Sequence, residues 1–214
     1  MRHQRFGFRT DQIPYRWSHR LTNLIFGALG KLESHGNENI SPQGGVLLMS
    51  NHVSYLDPII IGTAANRPLH FMARHDTFDM PFLGRLAALH NAYPVRRGVA
   101  DRWALRHTLS LLKSGKVVLA FPEGTRSVDG TLGEAHNGVS FIAYNANVPS
   151  IPVFLKGALL PRNAKCIRPT KLSVTFGSPI DFTEVRQITD KRALYRRMSQ
   201  QIMQAIANLR DKQA

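Results

Sequence analysis

The sequence predicts an α/β fold, a mixed and largely parallel sheet covered by helices, with an N-terminal amphipathic helical segment. Three observations carry that prediction. Apolar runs such as Val46-Leu47-Leu48-Met49 and Val117-Val118-Leu119-Ala120-Phe121 read as buried strands. Segments of helical spacing lie between them, and strands that alternate with helices imply a sheet covered on both faces. The chain has 214 residues, 43% of them hydrophobic, which is enough for one sizeable core.

Taken in order, residues 1–12 are polar apart from two phenylalanines and carry Arg2, Arg5 and Arg9, so loose order or membrane contact is expected there. From residue 13 the apolar positions Ile13, Trp17, Leu21, Leu24, Ile25, Ala28, Leu29 and Leu32 recur at helical spacing, with Arg16, His19, Arg20, Asn23 and Lys31 elsewhere on the wheel. Such a helix suits an anionic lipid interface, where apolar burial and headgroup attraction add. A helix docked on its own domain would show the same pattern. Gly36 and the turn Ser41-Pro42-Gln43-Gly44-Gly45 then separate it from the first strand. The expected division is a membrane-contacting segment over residues 1–40 and an α/β domain over 41–214.

Within that domain we expect strands at 46–49, 69–73, 92–95, 117–121, 151–155 and 171–176. Helices are expected at 57–66, 81–89, 101–113, 134–145 and 188–209. Gly115 should end the third of these, and Leu194, Met198, Ile202, Ile206 and Leu209 share one face of the last.

Lys and Arg outnumber Asp and Glu by 28 to 14, a net charge of +14, and the pI is near 10.7. This predicts anionic partners: nucleic acid, acidic headgroups or phosphorylated small molecules. An idle basic surface is the plain alternative. The single cysteine, Cys166, can form no internal disulfide, and no nearby pattern makes it a nucleophile. No apolar run approaches the ~20 residues a spanning helix needs, and Met1-Arg2-His3-Gln4-Arg5 leads into no signal-type apolar core. Neither a transmembrane span nor a signal peptide is therefore expected.

Two stretches at the ends of predicted strands carry chemistry. In Asn51-His52-Val53-Ser54-Tyr55-Leu56-Asp57, His52 can act as a base near neutral pH, and Asp57 can fold back to its other ring nitrogen. The same pair could instead only cap the helix that follows. In Phe121-Pro122-Glu123-Gly124-Thr125-Arg126-Ser127, Gly124 permits a tight turn whose amides can face an anion, and Arg126 offers a fork matched to phosphate oxygens. A plain turn is the alternative there. Walker-type and G-x-G-x-x-G phosphate loops are absent from the sequence.

In order along the chain, Asn51-His52-x-Ser54-x-x-Asp57, Tyr93-Pro94-Val95-Arg96-Arg97-Gly98, Phe121-Pro122-Glu123-Gly124-Thr125-Arg126-Ser127 and Val148-Pro149-Ser150-Ile151-Pro152-Val153 resemble the four blocks of the glycerolipid acyltransferases. That family includes the enzymes that acylate 1-acylglycerol 3-phosphate. The resemblance covers about residues 36–157 and implies His52 as general base with Asp57 orienting it. It implies Arg97, Glu123, Gly124, Thr125 and Arg126 as residues that bind the glycerophosphate and shape its site, supported by Asn51, Ser54 and Arg74. It further implies an acyl-CoA or acyl-carrier-protein donor as co-substrate with no cofactor and no metal. The implied acceptor is a lysophospholipid, and the implied location is the cytoplasmic face of an anionic membrane. Two departures bear on the acceptor. Arg74 stands where the family often has Lys, and Ala135-His136-Asn137-Gly138 replaces a Phe-Lys-x-Gly element, so one cation is lost.

Three other readings compete. A related transferase would act on glycerol 3-phosphate or another lysolipid. A nucleic-acid-binding protein would need aromatics interleaved with basic residues or a helix-turn-helix, and neither is visible. A metal hydrolase would need ligands beyond His52 and Asp57, with His70, His75, Asp76 and Asp79 as candidates.

Overall fold

A computed structural model of the protein describes residues 22, 24, 32–65, 67–96, 101–158 and 171–213. Seven strands form one sheet: β1 (Leu32–His35), β2 (Val46–Ser50), β3 (Leu69–Arg74), β4 (Ala92–Val95), β5 (Val117–Ala120), β6 (Ser150–Lys156) and β7 (Leu172–Phe176). The helices are α1 (Asp57–Ala64), α2 (Pro81–Leu89), α3 (Arg102–Lys113), α4 (Asn137–Ala146) and α5 (Lys191–Asp211). The spatial order is β1-β7-β6-β2-β5-β3-β4. Pairing is parallel throughout except between β6 and β7, so β7 and β1 run against the other five strands.

Every residue of β2 is buried, because alternate side chains enter two different cores. Val46 and Leu48 join Leu69, Phe71, Leu119, Ile151 and the α1 residues Ile60 and Ile61 on one face. Leu47 and Met49 join Val118, Leu112 of α3, Ile142 of α4, and Leu194, Met198, Ile202 and Ile206 of α5 on the other. Helices α1 and α2 thus cover one face, and α3, α4 and α5 cover the other. The crossover leaving β2 begins with α1, and the crossover leaving the adjacent β5 runs through α4. The two chains depart to opposite sides, which opens a crevice at the carboxyl ends of β2 and β5, the position where open α/β sheets bind ligands.

The expected elements of the sheet are present, with shifts at their ends. Asp101 and Asp190 cap α3 and α5 by accepting from Ala104 and Ala193 backbone N–H groups, and the Asp190 cap moves the start of α5 from residue 188 to Lys191. Helix α4 begins at Asn137 instead of 134, because the His136 N–H is tied to the Pro122 carbonyl at 2.9 Å and holds the preceding residues extended.

The larger correction is β1. Leu32, assigned from its spacing to the N-terminal helix, begins an edge strand paired with β7. The α/β body therefore takes in residues that the division at residue 40 placed outside it. The strand is anchored from beyond its own sequence: Asn39 Nδ2 donates to the Phe176 carbonyl at 3.0 Å, and Gly36 turns at φ +76 where a Cβ would lie 2.0 Å from that carbonyl oxygen. The expected helix over 13–32 lies otherwise outside the described residues, except that Thr22 and Leu24 are helical and Leu24 is exposed.

His70 sits in β3 with 2% of its surface exposed. Burial, and then the positive charges of Lys116 and His107, push its pKa down from 6.5 to about 4. The unfolded chain takes up this proton near its ordinary pKa and the folded chain only near the lowered one. Stability is therefore expected to fall as pH drops through the interval between them, by up to about 3 kcal/mol. Denaturant unfolding at a series of pH values checks this, and His70→Gln should flatten the slope.

Candidate active site

His52 leaves the end of β2 and Asp57 opens α1, so the tight Val53 to Leu56 turn folds the carboxylate back under the ring. His52 Nδ1 lies 2.8 Å from Asp57 Oδ2. The same oxygen accepts from the backbone N–H groups of Val53 at 2.7 Å and Ser54 at 2.8 Å. Asp57 is fully buried and its carboxylate cannot drift. A second constraint comes from Phe121, whose ring stacks on the imidazole with centroids 3.9 Å apart and planes 17° from parallel. With Nδ1 facing a carboxylate, that nitrogen carries the proton and Nε2 keeps the lone pair. The side chain retains 11% exposure, and no described residue hydrogen-bonds Nε2. A buried, oriented imidazole with one open nitrogen can take a proton from a bound hydroxyl and give it back to a leaving group.

Ser54 supports the turn itself, its Oγ accepting from the Leu56 N–H at 3.2 Å. Asn51 works across the sheet. Its Nδ2 donates to the Leu155 carbonyl at 3.0 Å and its Oδ1 accepts from the Leu155 N–H at 2.8 Å, which ties the end of β2 to β6. Asn51→Ala leaves both Leu155 groups buried without partners, and we expect a loss of about 2–4 kcal/mol in urea unfolding.

The second loop meets the first at several points. Ser127 N–H donates to the His52 carbonyl at 2.7 Å. The buried Glu123 accepts from the His52 N–H at 3.4 Å and the Gly133 N–H at 3.0 Å. Both of its carboxylate oxygens thus hold backbone, and Glu123 shapes the site. Gly124 turns at φ +65, and a Cβ there would lie 2.7 Å from Cδ2 of His136, whose ring covers the turn. Arg126 is exposed, with its guanidinium 3.6 Å over the centroid of Tyr55 from the first loop. Thr125 beside it is exposed as well.

The structure therefore brings together nine of the ten sequence-predicted residues at one sheet edge, each at the carboxyl end of β2, β3 or β5 or just beyond. Arg97 lies outside the described residues. Arg74 ends β3 and pairs with Asp76, so its charge is already met by a neighbour. His70, His75, Asp76 and Asp79 form no metal-holding group among the described residues. The sequence offered no signal for the stacking of Phe121 on His52 or of Arg126 on Tyr55, since both cross between loops separated by more than sixty residues.

Residues 31–156 match the family model described as Acyltransferase. The chain is 27% identical over 208 residues to a probable 1-acyl-sn-glycerol-3-phosphate acyltransferase of Mycoplasma pneumoniae, covering 88% of this chain and 78% of that protein. It is 24% identical over 200 residues to the 1-acyl-sn-glycerol-3-phosphate acyltransferase of Bacillus subtilis, covering 92% and 98%. The crystal structure of the 1-acyl-sn-glycerophosphate acyltransferase PlsC from Thermotoga maritima superimposes with a TM-score of 0.66 at 23% identity, over 91% of this chain and 79% of that one. That likeness establishes the shared fold.

Proposed function

Because the chain belongs to the acyltransferase family, we propose that it moves a fatty acyl group from a thioester to the free hydroxyl of 1-acylglycerol 3-phosphate, giving phosphatidic acid. The observation that carries the reading is the buried pair of His52 and Asp57, 2.8 Å apart, with Nε2 hydrogen-bonded by no described residue. The relatives from Mycoplasma pneumoniae and Bacillus subtilis, both named for acylation of 1-acyl-sn-glycerol 3-phosphate, supply the acceptor.

In the proposed reaction His52 Nε2 takes the proton of the acceptor hydroxyl as its oxygen attacks the thioester carbonyl carbon. The C–O bond forms, the C–S bond breaks, and the departing sulfur takes the proton back from the imidazolium. Asp57 stabilises the charged ring between the two transfers. The acceptor is itself the nucleophile, so no acyl-enzyme forms, and the thioester of acyl-CoA or acyl-carrier protein is a co-substrate with no further cofactor. Arg126, with Arg97, is assigned to the acceptor phosphate, where a guanidinium can bond two oxygens at once. The acceptor is an amphiphile, which suits peripheral residence on the cytoplasmic face of an anionic membrane, and the segment over residues 1–40 is proposed to contact it. The described residues include no helix long and apolar enough to cross a membrane.

The altered element Ala135-His136-Asn137-Gly138 favours keeping a second acceptor class in the test. Thiol release by the purified protein is measured with lysophosphatidic acid, glycerol 3-phosphate or a neutral lysolipid, with acyl-CoA and acyl-carrier protein as donors in turn. Release that requires lysophosphatidic acid is expected. Release with another acceptor alone would move the protein to a different lipid, and silence with every pair would overturn the reading.

A further inference from the structure

Helix α2 is built the wrong way round for a helix that only packs on its own domain. Its buried residues are the small Gly84 and Ala87, while Phe82 is 76% exposed and Leu89 45%. Phe82, Arg85, Leu86 and Leu89 recur at the spacing that makes one helical face, so the large side chains form an outward stripe opposite the small ones. Gly84 faces inward for a steric reason: a Cβ there would lie 2.7 Å from the Phe78 carbonyl oxygen, so the helix seats closely on the turn over His75–Asp79. At its start Met80 adds a further apolar side chain, 44% exposed.

The stripe starts at the rim that carries the catalytic loops and runs back from it toward the start of β4, where Ala92 pairs with Phe71 and Asn91 Nδ2 donates to the Leu69 carbonyl. The turn over His75–Asp79 leaves the carboxyl end of β3, two strands from β2, and α2 follows it directly. Tyr55, 53% exposed, and Val128, 85% exposed, stand in the loops after β2 and β5 on that rim. Cations stand among them. Arg85 is exposed and makes no ion pair among the described residues, and exposed Arg126 lies over Tyr55. Aromatic and aliphatic side chains interleaved with arginines match a headgroup layer with acyl chains beneath it, and the net charge of +14 matches an anionic one.

We infer that α2 is a membrane-docking helix, which sinks Phe82 and Leu89 into the acyl boundary of an anionic bilayer, sets Arg85 against lipid phosphates and, through its first turn at the rim, holds the mouth of the site beside the bilayer surface. The inference rests on the proposed reaction only in what docking is for, since the surface itself is defined by exposure and charge. It differs from contact through the N-terminal segment, and it assigns residues outside every block of the acyltransferase resemblance.

The test uses the full chain with phosphatidylcholine vesicles, with and without phosphatidylglycerol. Phe82→Asp combined with Leu89→Asp is expected to weaken partitioning to the anionic vesicles by about tenfold or more, and Arg85→Glu should weaken it on those vesicles alone. Turnover of a short-chain lysophosphatidic acid kept below its micelle concentration should stay within about twofold of the parent, as for other surface substitutions. Unchanged partitioning of the double variant overturns the inference, and if use of an acyl-carrier-protein donor falls at the same time, the face belongs to the carrier. Loss of turnover on the dispersed acceptor overturns it too, by making the stripe part of the site. Should the parent transfer to no acceptor while the partitioning difference holds, the docking surface stands and the proposed reaction falls.

Discussion

His52→Ala is expected to slow acyl transfer by about 10³-fold, within the 10²–10⁴ that a positioned general base supplies. The ring is stacked on Phe121 and bonded to Asp57, so its removal takes out one well-ordered group without breaking a backbone tie. The backbone N–H and carbonyl of His52, which bind Glu123 and Ser127, remain in the variant. Cooperative unfolding should persist while thiol release is lost, and the donor KM should change little because in the proposed reaction the base acts on the acceptor hydroxyl. A variant that unfolds cooperatively and keeps most of its rate would remove His52 from the chemistry.

Asp57→Asn is expected to act nearly as strongly, by about 10²–10⁴-fold in kcat, up to the loss that the same substitution causes in Ser-His-Asp triads. The substitution preserves shape, and an amide oxygen at the Oδ2 position can still accept from Val53 and Ser54. It removes the charge that stabilises the imidazolium. The new amide nitrogen falls at the buried Oδ1 position, which has no hydrogen-bond partner among the described residues, and there an NH2 group must be desolvated in place of an oxygen. A stability loss of about 1–3 kcal/mol should therefore accompany the kinetic one. Steady-state kinetics beside urea unfolding separates the two effects, and an unchanged kcat would show that the turn alone orients His52.

How far the sequence reached depended on how local each determinant was. The buried strands β2 and β5 are legible because their side chains are apolar on both faces, and the dyad is legible because His52 and Asp57 lie five residues apart across one turn. Strand β1 was not. Leu32, Glu33, Ser34 and His35 show no apolar alternation, and their strand depends on pairing with β7, about 140 residues away. Asn51 and Glu123 stood in recognisable blocks, yet their partners, the Leu155 backbone and the His52 and Gly133 amides, come from segments that only the fold brings together. Arg67 gave no signal at all. Its guanidinium reaches the carbonyls of Ser41, Gly44 and Gly115 and so fastens two loops far from the site, a role that three backbone carbonyls create and no side-chain pattern announces.

In the proposed reaction His52 activates the acceptor so that acyl groups pass directly between substrates. The most direct test is an acid quench of the protein with acyl-labelled donor, with and without lysophosphatidic acid, beside His52→Ala. Label is expected only in phosphatidic acid, one for each thiol released, none on the protein, and almost none anywhere in the variant. Label retained on the protein without acceptor, or phosphatidic acid formed at the parent rate by His52→Ala, would contradict it.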